Sequence, residues 1–369
     1  LTTNGQRPIL IAPLDWGLGH TTRCIPLIAH LRSKQRPVLF AGNSWQRAYI
    51  SKTFAGIETI HLEGYNIRYS RSLLMLSLIG QIPQVLTAIR NEQEWIGELC
   101  AARAIGGIIS DNRYGLYHRE VPSVIMSHQL RIRTGLGYLG DELLRPLHYR
   151  FLNRFDECWI PDLEDPPGLG GKLSHPHRLP AHSHYLGLLS QLGARGRRPD
   201  DEGPLLVLLS GPEPQRTMLS DLLWDQLQHY RHPTIFVEGS AAAQSRQPVP
   251  AHVQHFLQLS RSELSPLLRQ ASLVICRSGY STLMDLVALN KKAILIPTPG
   301  QTEQEYLARH LHRAGVFYAV RQKDLDLAGT LKAAADFRFR TFWQKHTAHT
   351  GFTAILDRWL HKVDAGNSQ

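Results

Sequence analysis

Cysteine is scarce, with four in 369 residues. Cys24, Cys100, Cys158 and Cys276 form no CxxC pair. That excludes a disulfide scaffold and points to reduced thiols in a cytosolic protein. No run of about 20 apolar residues occurs, so no membrane span is expected. The opening "LTTNGQRPILIAPL" has neither a long apolar core nor a small-residue cleavage site, so no signal peptide is expected. The GxSxG, HExxH and P-loop patterns are missing. So are zinc-finger spacing and the aromatic–basic motif of an RNA-binding module. Nucleic acid is therefore not an expected partner, although 41 basic and 31 acidic side chains leave a net charge of +10. Most of that excess lies in the first 200 residues, with 23 basic and 16 acidic side chains. A basic surface of this kind suits a phosphorylated substrate or an anionic lipid.

What remains is a soluble globular composition, 43% apolar and 20% charged, too long for one ordinary core. Short apolar runs alternate with helix-length segments. In the first half the strand candidates are 8–12, 37–42, 57–62, 106–110, 122–126 and 157–161. In the second half they are 205–210, 234–238, 252–256, 273–277, 293–297 and 316–320. Several are continuous β-branched and Leu runs, as in strands covered on both faces. The alternation implies parallel sheets with right-handed crossovers. "GARGRRPDDEGP" (193–204) has linker composition. The expected domains are 1–195 and 203–337. A helical tail, 338–369, is expected to cross back to the first domain.

Ligands of parallel α/β sheets bind outside the carboxyl ends of strands. Four such junctions carry polar residues. In "CRSGYSTLMD", Arg277, Ser278, Gly279, Ser281 and Thr282 lead into a helix whose N-terminal N–H groups suit a phosphate. Asp285, one turn on, suits a ribose. The same residues also serve as an ordinary capped helix start. "IPTPGQTEQEY" adds Gln304 and Glu305, which suit sugar hydroxyls or simply a polar first turn. "LLSGPEPQRT" offers Gly211, although its two prolines remove donors. "IISDNRYG" places Asp111 at a strand end, as a base, as the holder of one, or as a helix cap; "VIMSHQL" does the same for His128.

The fourth junction is "DWGLGHTTRCIPL". Gly17 and Gly19 permit a tight turn, and Thr21 follows His20 at a helix start. Helix N–H groups should lower the His20 pKa and leave a neutral imidazole able to take a proton. The spacing is not a dinucleotide fingerprint. In "SHPHRLPAHSHY", His175, His177, His182 and His184 lack a nearby Cys, and prolines break their spacing. A surface loop is expected there, with no metal.

Together these junctions resemble the GT-B glycosyltransferases of family 28, the group of the MurG-like N-acetylglucosaminyltransferases and related glycolipid synthases. The similarity is closest in "CRSGYSTLMD…ILIPTPGQTEQEY" and extends to "GLGHTTRCIPLIAHL". The resemblance implies two Rossmann-like doubly wound domains facing a cleft. It implies transfer from a nucleotide-sugar, usually a UDP-sugar, to an acceptor hydroxyl without metal or cofactor. By position, Gly279, Ser281 and Thr282 would face the diphosphate and Asp285 the ribose. Gln304 and Glu305 would contact the donor sugar, and Phe256 and Leu257 would line the base pocket. His20 and Asp111 would lie near the acceptor hydroxyl. Asp285 stands where the family more often has Glu, and Glu305 where the MurG-like enzymes tend to have Gln. A nucleotide-sugar hydrolase or epimerase, or a non-catalytic binder, would use the same fold. The apolar stretch 70–89, flanked by Arg68, Arg71 and Arg90, reads as a buried helix or as a peripheral contact with an anionic membrane at its inner face.

Overall fold

The computed structural model describes residues 6–65, 82–132, 137–190, 192, 202–240, 242–243, 245–342 and 351–367. Most of the stretch 70–89 lies outside them. The chain forms two compact units, Leu1–Gln191 with Ala348–Gln369, and Leu192–Thr347.

Unit 1 is built on seven parallel strands: β1 (Ile9–Pro13), β2 (Val38–Gly42), β3 (Glu58–His61), β4 (Gly107–Asp111), β5 (Ser123–Met126), β6 (Glu157–Ile160) and β7 (Ser183–Tyr185). Their order is β3-β2-β1-β4-β5-β6-β7. Every residue of β1, β2, β4, β5 and β6 is buried, as the unbroken apolar runs require of strands covered on both faces. The covering helices include α1 (Leu18–Ser33), α2 (Ser44–Thr53), α3 (Ile82–Ala102) and α4 (Gly137–Leu152). Asn43 and Gln46 close the start of α2 with a reciprocal capping box.

Unit 2 has six parallel strands: β8 (Leu205–Leu208), β9 (Thr234–Val237), β10 (Val253–Phe256), β11 (Leu273–Cys276), β12 (Ala293–Leu295) and β13 (Tyr318–Ala319). Their order is β10-β9-β8-β11-β12-β13. Around them lie α5 (Gln215–Leu227), α6 (Arg261–Gln270), α7 (Tyr280–Ala288), α8 (Thr302–Arg313) and α9 (Leu327–Asp336). Phe236, Ile275, Ile294, Leu219 and Leu223 are fully buried in its core.

The last helix, α10 (Phe352–Asn367), belongs to unit 1. The Trp359 ring meets Trp159 edge-on, centroids 5.6 Å apart. A Cβ on Gly107 would stand 2.6 Å from Trp359 Cη2, so β4 needs glycine where the helix crosses it. Buried Glu157 accepts from Lys362 Nζ at 2.6 Å and from Arg358 at 3.3 Å. Burial alone would raise its pKa; Lys362, Trp159 and Arg358 outweigh that and hold the carboxyl below its ordinary value.

All twelve strand candidates fall on strands. The thirteenth, β7, lies in the histidine-rich segment taken above for a surface loop. Its backbone pairs with β6, and His184 reaches Glu157 at 3.7 Å. A three-residue edge strand of half-buried side chains leaves almost no apolar signal.

Candidate active site

Both sheets reverse direction of strand order at one place, between β1 and β4 in unit 1 and between β8 and β11 in unit 2. A doubly wound sheet opens its crevice at that switch point, beyond the carboxyl ends of the strands. His20 follows β1 and Asp111 ends β4, so both lie at the first switch point. Gly211 follows β8, and residues 277–282 follow β11, at the second.

At the first, Gly17 takes φ +75°, a left-handed backbone that favours glycine, and starts α1 without a side-chain cap. His20 falls in the first turn. Its Nδ1 lies 3.1 Å from Asp111 Oδ2 and 2.8 Å from Arg23 Nη2. Arg23 grips the Asp111 carboxylate with two nitrogens, Nε donating at 2.7 Å and Nη2 to the other oxygen. Its Nη1 lies 3.0 Å from His128 Nδ1. Asp111 and Arg23 are almost entirely out of solvent, whereas the His20 side chain keeps 14% of its surface open. Asp111 therefore backs the His20 ring and has no surface open to a ligand.

The His20 pKa is lowered, first by burial and then by Arg23; Asp111 opposes both. The direction matches the expectation, but the causes replace the helix end. Burial would raise Asp111, and Arg23 and then His20 overcome it, keeping the carboxyl below its ordinary value. The turn after Asp111 is fixed by a second buried ion pair. Arg113 Nε donates to Glu92 Oε1 on α3 at 2.7 Å, and Glu92 Oε2 accepts from Tyr65 Oη at 2.8 Å and Gly115 N at 2.9 Å. Asn112, between Asp111 and Arg113, takes φ +58°.

Two residues expected on the acceptor side are framework. Thr21 is fully buried, its hydroxyl accepting from Gln46 Nε2 at 3.0 Å. His128 is 3% exposed and sits behind Arg23. Gly17 and the half-buried Gly19 border the His20 opening.

At the second switch point the structure divides the expected donor ligands into two groups. Arg277, 1% exposed, acts as a clamp: it donates to the carbonyls of Ile296 and Pro297 at 3.2 Å each and of Gln215 at 2.6 Å. Ser278 is fully buried and donates to the Gln304 carbonyl at 2.8 Å. These two tie β11 to the starts of α5 and α8. By contrast, Gly279 begins α7 with no side chain to close the helix end, and a Cβ there would meet nothing within 4 Å. Ser281, Thr282 and Asp285 follow on partly open positions of α7. Gly211, exposed, takes φ +102° beside Thr298. Gln304 Oε1 accepts from Thr298 N at 2.9 Å and Glu305 Oε1 from Gly300 N at 3.0 Å, so both brace the turn before α8. Phe256 and Leu257 lie half-buried at the end of β10.

Sequence reasoning passed over Arg23, although three residues after His20 is the same helical face. It also passed over Glu238, which Arg216, Arg246, Ser220 and His255 surround beneath the donor-side loops. Among the described residues no group of histidine, cysteine and carboxylate side chains is arranged to hold a metal ion.

Residues 240–356 match the family model described as the glycosyltransferase family 28 C-terminal domain. Among curated proteins, the UDP-N-acetylglucosamine–N-acetylmuramyl-(pentapeptide) pyrophosphoryl-undecaprenol N-acetylglucosamine transferase of Acidiphilium cryptum is 26% identical over 340 residues, 89% of this chain and 88% of the relative. Its namesake from Desulforudis audaxviator is 44% identical over 75 residues, which is 20% of either chain. Among solved structures, Acinetobacter baumannii MurG superposes with a TM-score of 0.57 at 14% identity, over 96% of this chain and 99% of that one. The glycotransferase of kitacinnamycin gives 0.64 at 13%, over 98% and 96%.

Proposed function

The chain is a glycosyltransferase of the GT-B fold with a family 28 C-terminal domain, and from that premise we propose that it moves a sugar from a UDP-sugar to the hydroxyl of a lipid-linked acceptor. The observation that carries the reading is His20: a partly open, neutral imidazole with a buried carboxylate behind it, at a sheet's switch point. A general base needs this combination, a lone pair at working pH and a group that stabilises the imidazolium formed.

In the proposed reaction the acceptor oxygen attacks the anomeric carbon and gives its proton to His20. The bond between that carbon and the diphosphate breaks, and UDP leaves with the electron pair. The charge growing on the diphosphate is met by the N-terminal end of α7 and the hydroxyls of Ser281 and Thr282, without a metal. Asp285 takes the ribose hydroxyls. Gln304 and Glu305 hold the donor sugar while bracing their turn. The relative matched over 340 residues, named for an undecaprenol-linked substrate, supports a lipid-linked acceptor.

No described helix is long and apolar enough to cross a membrane. We propose peripheral contact through α4, where Leu143 and Leu147 are 80% and 51% exposed and four residues apart. Arg150 continues the same stripe as an exposed cation. Flotation with anionic vesicles tests this: the wild type should float at low salt and Leu143→Gln/Leu147→Gln should not.

The test of the reaction is His20→Ala, assayed by UDP release with and without acceptor. Turnover should fall about 10²–10⁴-fold, while UDP affinity stays unchanged. Unchanged turnover would remove His20 from the chemistry. Free sugar formed equally fast without any acceptor would make the protein a hydrolase.

A further inference from the structure

One nitrogen cannot serve two masters. His20 Nδ1 faces Arg23 Nη2 at 2.8 Å and Asp111 Oδ2 at 3.1 Å. A guanidinium only donates, and an ionised carboxylate only accepts. If Nδ1 offers its lone pair to Arg23, the proton of the neutral ring sits on Nε2. If Nδ1 carries the proton, it donates to Asp111 and Nε2 is left with a lone pair. Only the second form can accept a proton at Nε2.

We propose that Arg23 is a positioning residue that decides which ring nitrogen of His20 carries the proton. The inference rests on the role of His20 as base and adds a residue that touches no substrate. Three observations support it. The Arg23 contact to Nδ1 is the shorter of the two. The guanidinium cannot turn away, since Nε and Nη2 are both fixed on Asp111 and Nη1 on His128 Nδ1. Arg23 is 2% exposed, so no water competes for its N–H groups. The resting protein therefore holds His20 with its proton on Nε2. The base form arises through the imidazolium: Nδ1 takes up a proton from solvent and donates it to Asp111 Oδ2, and Nε2 releases its own proton to solvent through the open side of the ring, leaving the lone pair that meets the acceptor hydroxyl.

Among the described residues, no other charge faces the ring to set this proton. From α1 come Arg23 and Cys24, from β4 Asp111, from the loop after β5 His128, and beyond Asp111 lies Tyr114. Burial raises the Cys24 thiol and the Tyr114 phenol, so both are neutral at working pH. His128 also offers Nδ1 to the guanidinium, so one cation orders two imidazoles.

The test is a long-range ¹⁵N–¹H correlation spectrum of the full chain with ¹⁵N-labelled histidine, its His20 signals assigned by their loss in His20→Gln. The wild type should show His20 neutral with the proton on Nε2. Arg23→Gln should move it to Nδ1, and Arg23→Lys, which keeps charge without the fork, should give a mixture. A wild type already protonated on Nδ1 overturns the proposal, and that result stands even if Arg23→Gln does not fold. So does a folded Arg23→Gln with the wild-type pattern. With substrates, Arg23→Gln should also shift the acid limb of kcat to higher pH, because losing a cation makes His20 easier to protonate. An unmoved limb contradicts the proposal. The spectrum needs no substrate, so a protein that transfers no sugar refutes the function while leaving the proton assignment decided.

Discussion

Asp111→Asn separates a framework of charge from one of shape. The substitution keeps the size of the side chain and removes its charge. Arg23 then keeps a positive charge in a site 2% exposed, with two imidazoles and a carboxamide for company. Breaking a buried ion pair by neutralising one partner costs about 3–5 kcal/mol. A unit of this size loses about 2–4 °C in Tm per kcal/mol, so its transition should fall by roughly 6–20 °C. Removing both charges, as in Arg23→Met/Asp111→Asn, should cost less than the two single changes together, with a coupling of about 1–3 kcal/mol. Differential scanning calorimetry of the four proteins gives the cycle. A single-variant loss under about 0.5 kcal/mol, the scale of an ordinary surface change, would refute the argument. So would additivity within about 0.5 kcal/mol.

Three further outcomes follow from other parts of the molecule. Gly107→Ala pushes a methyl against the Trp359 ring, 2.6 Å from Cη2, and should destabilise unit 1 by about 1–3 kcal/mol; denaturant unfolding read by tryptophan fluorescence checks it. Arg277→Gln should weaken unit 2 while leaving the acceptor side intact, since it releases three carbonyls and no ligand; a variant of unchanged stability with lost UDP binding would return Arg277 to the donor site. Glu157 has its pKa held below 4.5, so its contribution is complete above that value and is lost as pH falls through the folded pKa. Hydrogen exchange along α10 should therefore accelerate on acidification, and Glu157→Gln should reduce that pH dependence, leaving the part carried by Asp357 with His30 and Lys34; an α10 whose protection ignores pH would contradict it.

The fold was largely legible because buried parallel strands write themselves as unbroken apolar runs. β7 was not, since three half-buried polar residues on a sheet edge carry no such run. Strand-end residues were legible as a set for the same reason: the ends of apolar runs are easy to find. Which of them face the opening was not legible. Arg277 and Gly279 are two positions apart in one motif, yet one is a buried clamp and the other opens on empty space. That difference depends on where the Ile296, Pro297 and Gln215 carbonyls lie, which are contacts across the fold. Thr21 and His128 were misjudged in the same way, through partners 25 and 105 residues distant in sequence.

A thermal-shift panel with UDP, UMP, GDP, ADP and dTDP tests the donor site most directly. UDP at about 100 times its dissociation constant should stabilise the wild type by about 2.7 kcal/mol. Asp285→Ala should weaken UDP about 10–150-fold, the equivalent of one charge-assisted hydrogen bond of about 1.5–3 kcal/mol. A wild type that responds to none of the five nucleotides, or to UDP no differently from Asp285→Ala, would contradict the assignment of α7 to the donor diphosphate and ribose.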